Sequence, residues 1–93
     1  MPIEFDASER EVTLRERGLE FARADEVFAS RNLTREDGRQ GYGERRYQTV
    51  GWLDCRLIMI VWTPRGADRR IISMRKINER EIERIGSTLD RPR

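Results

Sequence analysis

Hydrophobic positions change period along this chain, and the changes predict the order of its elements. Phe21, Ala24, Val27 and Phe28 recur at helical spacing. That spacing predicts a helix over roughly 21–29 whose apolar stripe packs on a sheet. Leu57 to Trp62 is an unbroken apolar run of strand length, so Arg56–Thr63 reads as a strand buried on both faces. Strands are expected on either side of it, at Glu44–Leu53 and Arg69–Arg75. The links are short: Asp54-Cys55 before it, Pro64-Arg65-Gly66 after it. Turns this short imply an antiparallel meander.

The remaining elements are signalled by their ends. Asp6-Ala7-Ser8-Glu9 fits a capping box, and Gly18 suits the left-handed position that closes a helix over about Ala7–Arg17. Val12 and Leu14 do not share a stripe, so this helix is expected to be largely exposed and tied down at its ends. Asn78-Glu79-Arg80-Glu81 is a second capping box, with Ile77 and Ile82 placed for a hydrophobic staple. Ile82, Ile85 and Leu89 then give a last helix one apolar side. Pro2–Phe5 and Arg31–Glu36 are weaker strand candidates. Asp37 to Gly43 holds three glycines and reads as a mobile loop. The order is β-α-α-β-β-β-β-α. It predicts an α+β fold, a small antiparallel sheet with two N-terminal helices and one C-terminal helix against one face. Residues 1–93 are expected to form one domain, with about 87–93 as a frayed tail.

Composition narrows the chemistry. Charged residues make up 39% of the chain, yet 19 basic against 17 acidic residues leave a net charge of only +2. Basic character must therefore be local, and global charge does not mark a nucleic-acid binder. There is no histidine and a single cysteine, Cys55. Cys/His zinc sites, Ser/His and Cys/His catalytic pairs and internal disulfides are excluded. No metal or other cofactor is expected. The longest apolar run is far too short for a membrane span, and the first residues lack a basic region and an apolar signal core. These features suit a soluble protein of a reducing cytoplasm.

The local basic character lies in Arg69-Arg70-Ile71-Ile72-Ser73-Met74-Arg75-Lys76. Strict alternation would put Arg69, Ile71, Ser73 and Arg75 on one face and Arg70, Ile72 and Met74 on the other. Arg75 and Ser73 together suit a phosphate, the first by a bidentate fork and the second by its hydroxyl. In the strand from Glu44, Arg46, Gln48, Val50 and Trp52 share one face, and Tyr47, Thr49 and Leu53 the other. A strand-end arginine is also commonly half of a surface salt bridge. Trp52, Trp62 and Met74 fit either a core or a partner interface. Tyr42 and Tyr47 are each able to stack on a base, although Tyr47 in a strand equally suits packing.

The chain resembles the BrnT family of bacterial toxins, the ribonuclease half of BrnT/BrnA type II toxin–antitoxin systems. The resemblance rests on Ile3-Glu4-Phe5-Asp6, Arg17-Gly18-Leu19-Glu20-Phe21, Ala24 to Phe28, and Gly43-Glu44-Arg45-Arg46-Tyr47 running into Val50-Gly51. It continues through Arg56-Leu57, Thr63 to Gly66, Arg70 to Lys76, and Glu81. It implies a RelE-like fold, RNA cleavage that arrests translation, and a BrnA-like antitoxin with a ribbon-helix-helix domain. DNA contact and promoter repression would belong mainly to that complex. Three positions depart from the family pattern. Where the family commonly has Lys-His-Gly this chain has Glu16-Arg17-Gly18, where it often has an asparagine this chain has threonine at about Thr13, and where it often has a tyrosine in the last helix this chain has Ile85. Arg17 stays protonated and so suits a phosphate contact better than proton transfer.

RNA supplies its own nucleophile, the 2′-hydroxyl, so the protein must chiefly stabilise the pentavalent phosphate. The expected catalytic group is Arg75, Arg70 and Arg46 with Lys76 in support, and Arg17, Ser73 and Tyr47 contact substrate. Lys76, Tyr47 or a carboxylate such as Glu44 is left for proton transfer. Two other functions fit the same sequence. One is a catalytically weak, toxin-like module that mainly holds the antitoxin. The other is a plain nucleic-acid-binding domain, against which the mixed acidic and basic sequence argues.

Overall fold

Residues 1–38 and 43–85 are described by the computed structural model. In chain order they form β1 (Ile3–Phe5), α1 (Ala7–Arg17), a 3-10 turn (Phe21–Arg23), α2 (Ala24–Ala29), β2 (Leu33–Glu36), β3 (Tyr47–Leu53), β4 (Arg56–Arg65), β5 (Asp68–Lys76) and α3 (Glu79–Ile85). The α+β class holds. Part of the 37–43 loop, Leu89 and the 87–93 tail lie outside the described residues.

The five strands make one sheet in the order β1-β5-β4-β3-β2. The meander β2–β5 is antiparallel throughout, but β1 pairs with β5 in parallel, from Ile3↔Arg69 to Phe5↔Ile71. The sheet is therefore mixed, not purely antiparallel. The parallel pairing follows from chain path. The N-terminal segment docks on the outer edge of the last strand, and a parallel neighbour needs a long connection such as the one supplied here.

Two apolar clusters lie on opposite faces. The larger holds Phe21, Ala24, Val27, Ile58, Ile60, Trp62, Ile71 and Met74 under α2 and the 3-10 turn. Trp62 and Met74 are thus core residues. Phe5 meets Phe21, and Phe28 meets Trp62, edge to face, at centroid distances of 5.9 and 5.7 Å. The smaller cluster is Val50, Met59 and Ile77, with Leu57 and Ile85 against it. Ile85 thus carries α3 to the face away from α2, and the helices do not all share one side of the sheet. Ile82, expected in the staple, is 41% exposed.

Local signals explain the ends of the helices. The Asp6 carboxylate accepts from the Ser8 and Glu9 amides at 2.9 and 3.1 Å, and Gly18 closes α1 at φ +69°. No residue of α1 is buried. The Arg10–Glu20 fork, at 2.7 and 2.6 Å, ties it to the 3-10 turn. At the end of α2, the Ser30 hydroxyl donates to the Val27 carbonyl (2.6 Å) and accepts from the Trp52 amide (2.9 Å). That hydroxyl fixes the helix on β3 beside Gly51.

Two-residue turns join β3 to β4 and β4 to β5, since Leu53 pairs with Arg56 and Arg65 with Asp68. The second turn is Gly66-Ala67, two residues beyond the proline that marked it in the sequence. In the first, Asp54 and Cys55 both have positive φ, 50° and 63°, the conformation this hairpin type demands and L residues resist. Replacing Cys55 by glycine relieves about 1–2 kcal/mol of that resistance and costs about 0.4–1 kcal/mol in unfolded-chain entropy. Cys55→Gly should therefore raise the melting temperature by a few degrees, readable by circular dichroism.

Candidate nucleic-acid site

A β-bulge organises the cationic residues. Val61 pairs with Ser73, but Trp62 pairs with Ile71, so Ile72 is an extra residue without a partner on β4. The extra residue reverses the alternation expected from the sequence. Arg70 lies opposite Thr63, Ser73 opposite Val61, and Arg75 opposite Met59. Directly paired residues share a face, so Arg70, Ser73 and Arg75 come to the same side of the sheet. Gln48, Val50 and Trp52 join them by register, and Arg46 precedes them on the same alternation. The Arg75 guanidinium reaches the Met59 sulfur at 3.5 Å, in keeping with this placement.

The same bulge sends Arg69 to the other face. Its guanidinium lies over the rings of Phe28 and Trp62, at 4.0 and 5.0 Å from their centroids. Burial there pushes its pKa down. Tyr47 is on this far face too, stacked on Trp62 at 5.0 Å. Lys76 pairs with Ile58, a core residue of that face, and is exposed at the end of β5. Tyr47 and Lys76 were expected beside Arg75, and the structure does not bring them there. Glu44, a candidate for proton transfer, is engaged by Arg65 and Arg46 at 3.3 and 3.7 Å.

Past Phe5 the outer edge of β5 is met by α1. Arg17 donates to the Met74 carbonyl oxygen at 2.9 Å, satisfying a strand-edge acceptor. Between helix and strand runs a groove of about 320 Å³ lined by Ser8, Glu9, Val12, Thr13, Glu16, Arg17, Ile72 and Ser73. It joins Arg17 to Ser73, 56 positions apart in sequence and both singled out there. Glu9 was read there as part of a cap, and Thr13 and Glu16 as departures from the family pattern, but none of the three as a partner of Ser73. Their shared helical face, at spacings of three and four, was the signal available.

Three arginines of this face each meet a carboxylate. Glu81 receives two bonds from Arg75, at 2.7 and 2.8 Å. Glu4 lies 3.6 Å from Arg70, across the β1–β5 pairing. Glu44 lies 3.7 Å from Arg46. The Glu81 carboxylate also accepts from the Asn78 amide at 3.1 Å, while Asn78 caps the Glu81 amide at 2.9 Å. The capping box read from the sequence therefore also serves as an arginine clamp. The Arg75 fork holds the Glu81 carboxyl at about 2, against an ordinary 4.5. A depressed folded-state value adds stability that is complete above about pH 4.5 and lost as pH falls toward 2. Glu81→Gln should flatten the acid side of a melting-temperature profile measured from pH 5 to pH 2.

Among the described residues, no three His, Cys, Asp or Glu side chains stand close enough to hold a metal ion. No described helix is long and apolar enough to cross a membrane. The arrangement offers hydrogen-bond donors and positive charge to an extended anion along the edge of β5. A family model described as the ribonuclease toxin BrnT of type II toxin–antitoxin systems matches residues 5–81, nearly the whole chain. No curated protein matches the chain.

Proposed function

The chain belongs to the BrnT family of ribonuclease toxins, and we propose that it cleaves RNA at the face carrying Arg70, Ser73 and Arg75, without a metal ion, and so arrests translation. One observation carries this reading. The bulge at Ile72 aligns two arginines and a serine on one face, and Arg17 lies beside Ser73 on the adjoining helix. Guanidinium groups and a hydroxyl suit the charge that builds on phosphate oxygens as the 2′-oxygen attacks. Arg46 extends the same face toward a neighbouring phosphate.

The family's systems pair toxin with antitoxin. We assign this chain a BrnA-like ribbon-helix-helix partner, through which the complex contacts DNA, in the cytoplasm. The RelE-like description of the fold belongs to this proposal as well.

A second reading is favoured by the ion pairs. Arg75, Arg70 and Arg46 each face a carboxylate, and arginine stands where the family has histidine. A toxin-like module that mainly holds its antitoxin would show both features. Incubating the purified chain with an end-labelled structured RNA in EDTA separates the two readings. Fragments ending in 2′,3′-cyclic phosphate support the nuclease. Intact RNA, with tight antitoxin binding, supports the module.

A further inference from the structure

We propose that Glu16 is the general base of the ribonuclease reaction, taking the proton of the attacking 2′-hydroxyl. The inference rests on the ribonuclease reading of the groove and deepens it. Cleavage through the 2′-hydroxyl needs a proton acceptor at the scissile phosphate, and this chain has no histidine to supply one.

Most carboxylates near the cationic face are already committed. Glu81 is held by Arg75, Glu4 by Arg70, Glu44 by Arg46 and Arg65, and Glu20 by Arg10. A carboxylate locked in a guanidinium fork is a poor proton acceptor, as the fall of Glu81 to about 2 illustrates. In the groove between α1 and β5 the side chains are of another kind. Serine, threonine and arginine do not accept a proton near neutral pH, which leaves Glu9 and Glu16. Both are exposed, and neither has an ion-pair partner among the described residues.

Their company separates these two. Glu16 is adjacent to Arg17, whose guanidinium is pinned on the Met74 carbonyl next to Ser73. A phosphate held by Arg17 and Ser73 therefore lies at the Glu16 end of the groove. Glu9 is seven residues and about 10 Å away along the helix, beside Ser8. Glu11 does not line the groove at all.

The step balances without a co-reactant beyond water. The Glu16 carboxylate takes the 2′-hydroxyl proton as the bond from the 2′-oxygen to phosphorus forms. The bond from phosphorus to the 5′-oxygen breaks, and that oxygen leaves with a proton from water. The hydroxide so formed recovers the proton from Glu16. The products are a 2′,3′-cyclic phosphate and a 5′-hydroxyl.

The test compares wild type, Glu16→Gln, Glu16→Ala and Glu11→Gln for cleavage of one labelled RNA, and for affinity toward its fully 2′-O-methylated form, which cannot react. Glu16→Gln is expected to lose about 100- to 10,000-fold in rate. Its affinity for the methylated RNA should stay within about threefold of wild type, and Glu11→Gln should keep its rate. Added formate should restore part of the Glu16→Ala rate. Wild-type cleavage that survives Glu16→Gln overturns the base alone, and so does a loss of affinity that parallels the loss of rate. A wild type that binds the methylated RNA but cleaves none removes the ribonuclease reading, and the base with it.

Discussion

Arg75→Ala should lower the rate of RNA cleavage about 100- to 1,000-fold, the loss typical of removing one donor to a developing anionic charge. The expectation follows from position. Arg75 sits on the same face as Arg70 and Ser73, and Glu81 and the Met59 sulfur fix its guanidinium plane. A guanidinium already oriented loses little entropy when it meets a phosphate. Folding should suffer far less than activity, because a partly exposed ion pair contributes no more than about 1 kcal/mol. Arg75→Lys would keep the charge without the fork and should recover only a fraction of the rate. Equal rates for wild type and Arg75→Ala, in folded samples, would place the scissile phosphate elsewhere.

Gly51→Val should cost about 3 kcal/mol or more, although valine is the better strand residue by propensity. A Cβ at this position would stand 2.9 Å from the Val27 carbonyl oxygen, 2.9 Å from a Val27 methyl and 2.8 Å from the Ser30 hydroxyl. None of these yields easily. The first is helix backbone, the second is fully buried, and the third is held by two hydrogen bonds. A domain of this length has about 5–14 kcal/mol in total, and each kilocalorie is worth about 4–8 °C. The variant should therefore melt at least 12 °C below wild type. Gly51 is opposite Ile58 on the core face, away from Arg75, so cleavage per folded molecule should be unchanged. A melting point within two degrees of wild type would show that α2 does not press on β3 as described.

Gly51 also marks the limit of what the sequence can say. A glycine inside a strand pattern announces a bulge or a close approach, but not which. The close approach comes from α2, whose contact with β3 is tertiary. Elements whose cause is local were legible: the Asp6 cap, the Gly18 stop, the Asn78–Glu81 box, and β4 from its apolar run. Ile72 was not. Nothing in Arg70-Ile71-Ile72-Ser73 signals an extra residue, and one extra residue reverses every side-chain direction beyond it. Alternation therefore grouped Arg69 with Arg75, where pairing groups Arg70 with Arg75. The Arg75–Glu81 clamp was hidden for a related reason. It joins a strand to a helix across a bend, so no single period relates the two residues. The parallel pairing of β1 with β5 depends on contacts more than 60 residues apart, which local propensity does not encode.

That first-to-last pairing has a consequence for the timing of synthesis. β1 has no partner until β5 exists, and the groove needs Arg17 from one end of the chain and Ser73 from the other. A nascent chain that has emerged only as far as β4 holds neither the β5 arginines nor the edge on which Arg17 rests. The cationic face is thus assembled last, and contacts so distant in sequence form slowly. The arginines proposed to meet RNA therefore come together only once β5 has been made and has paired with both β4 and β1.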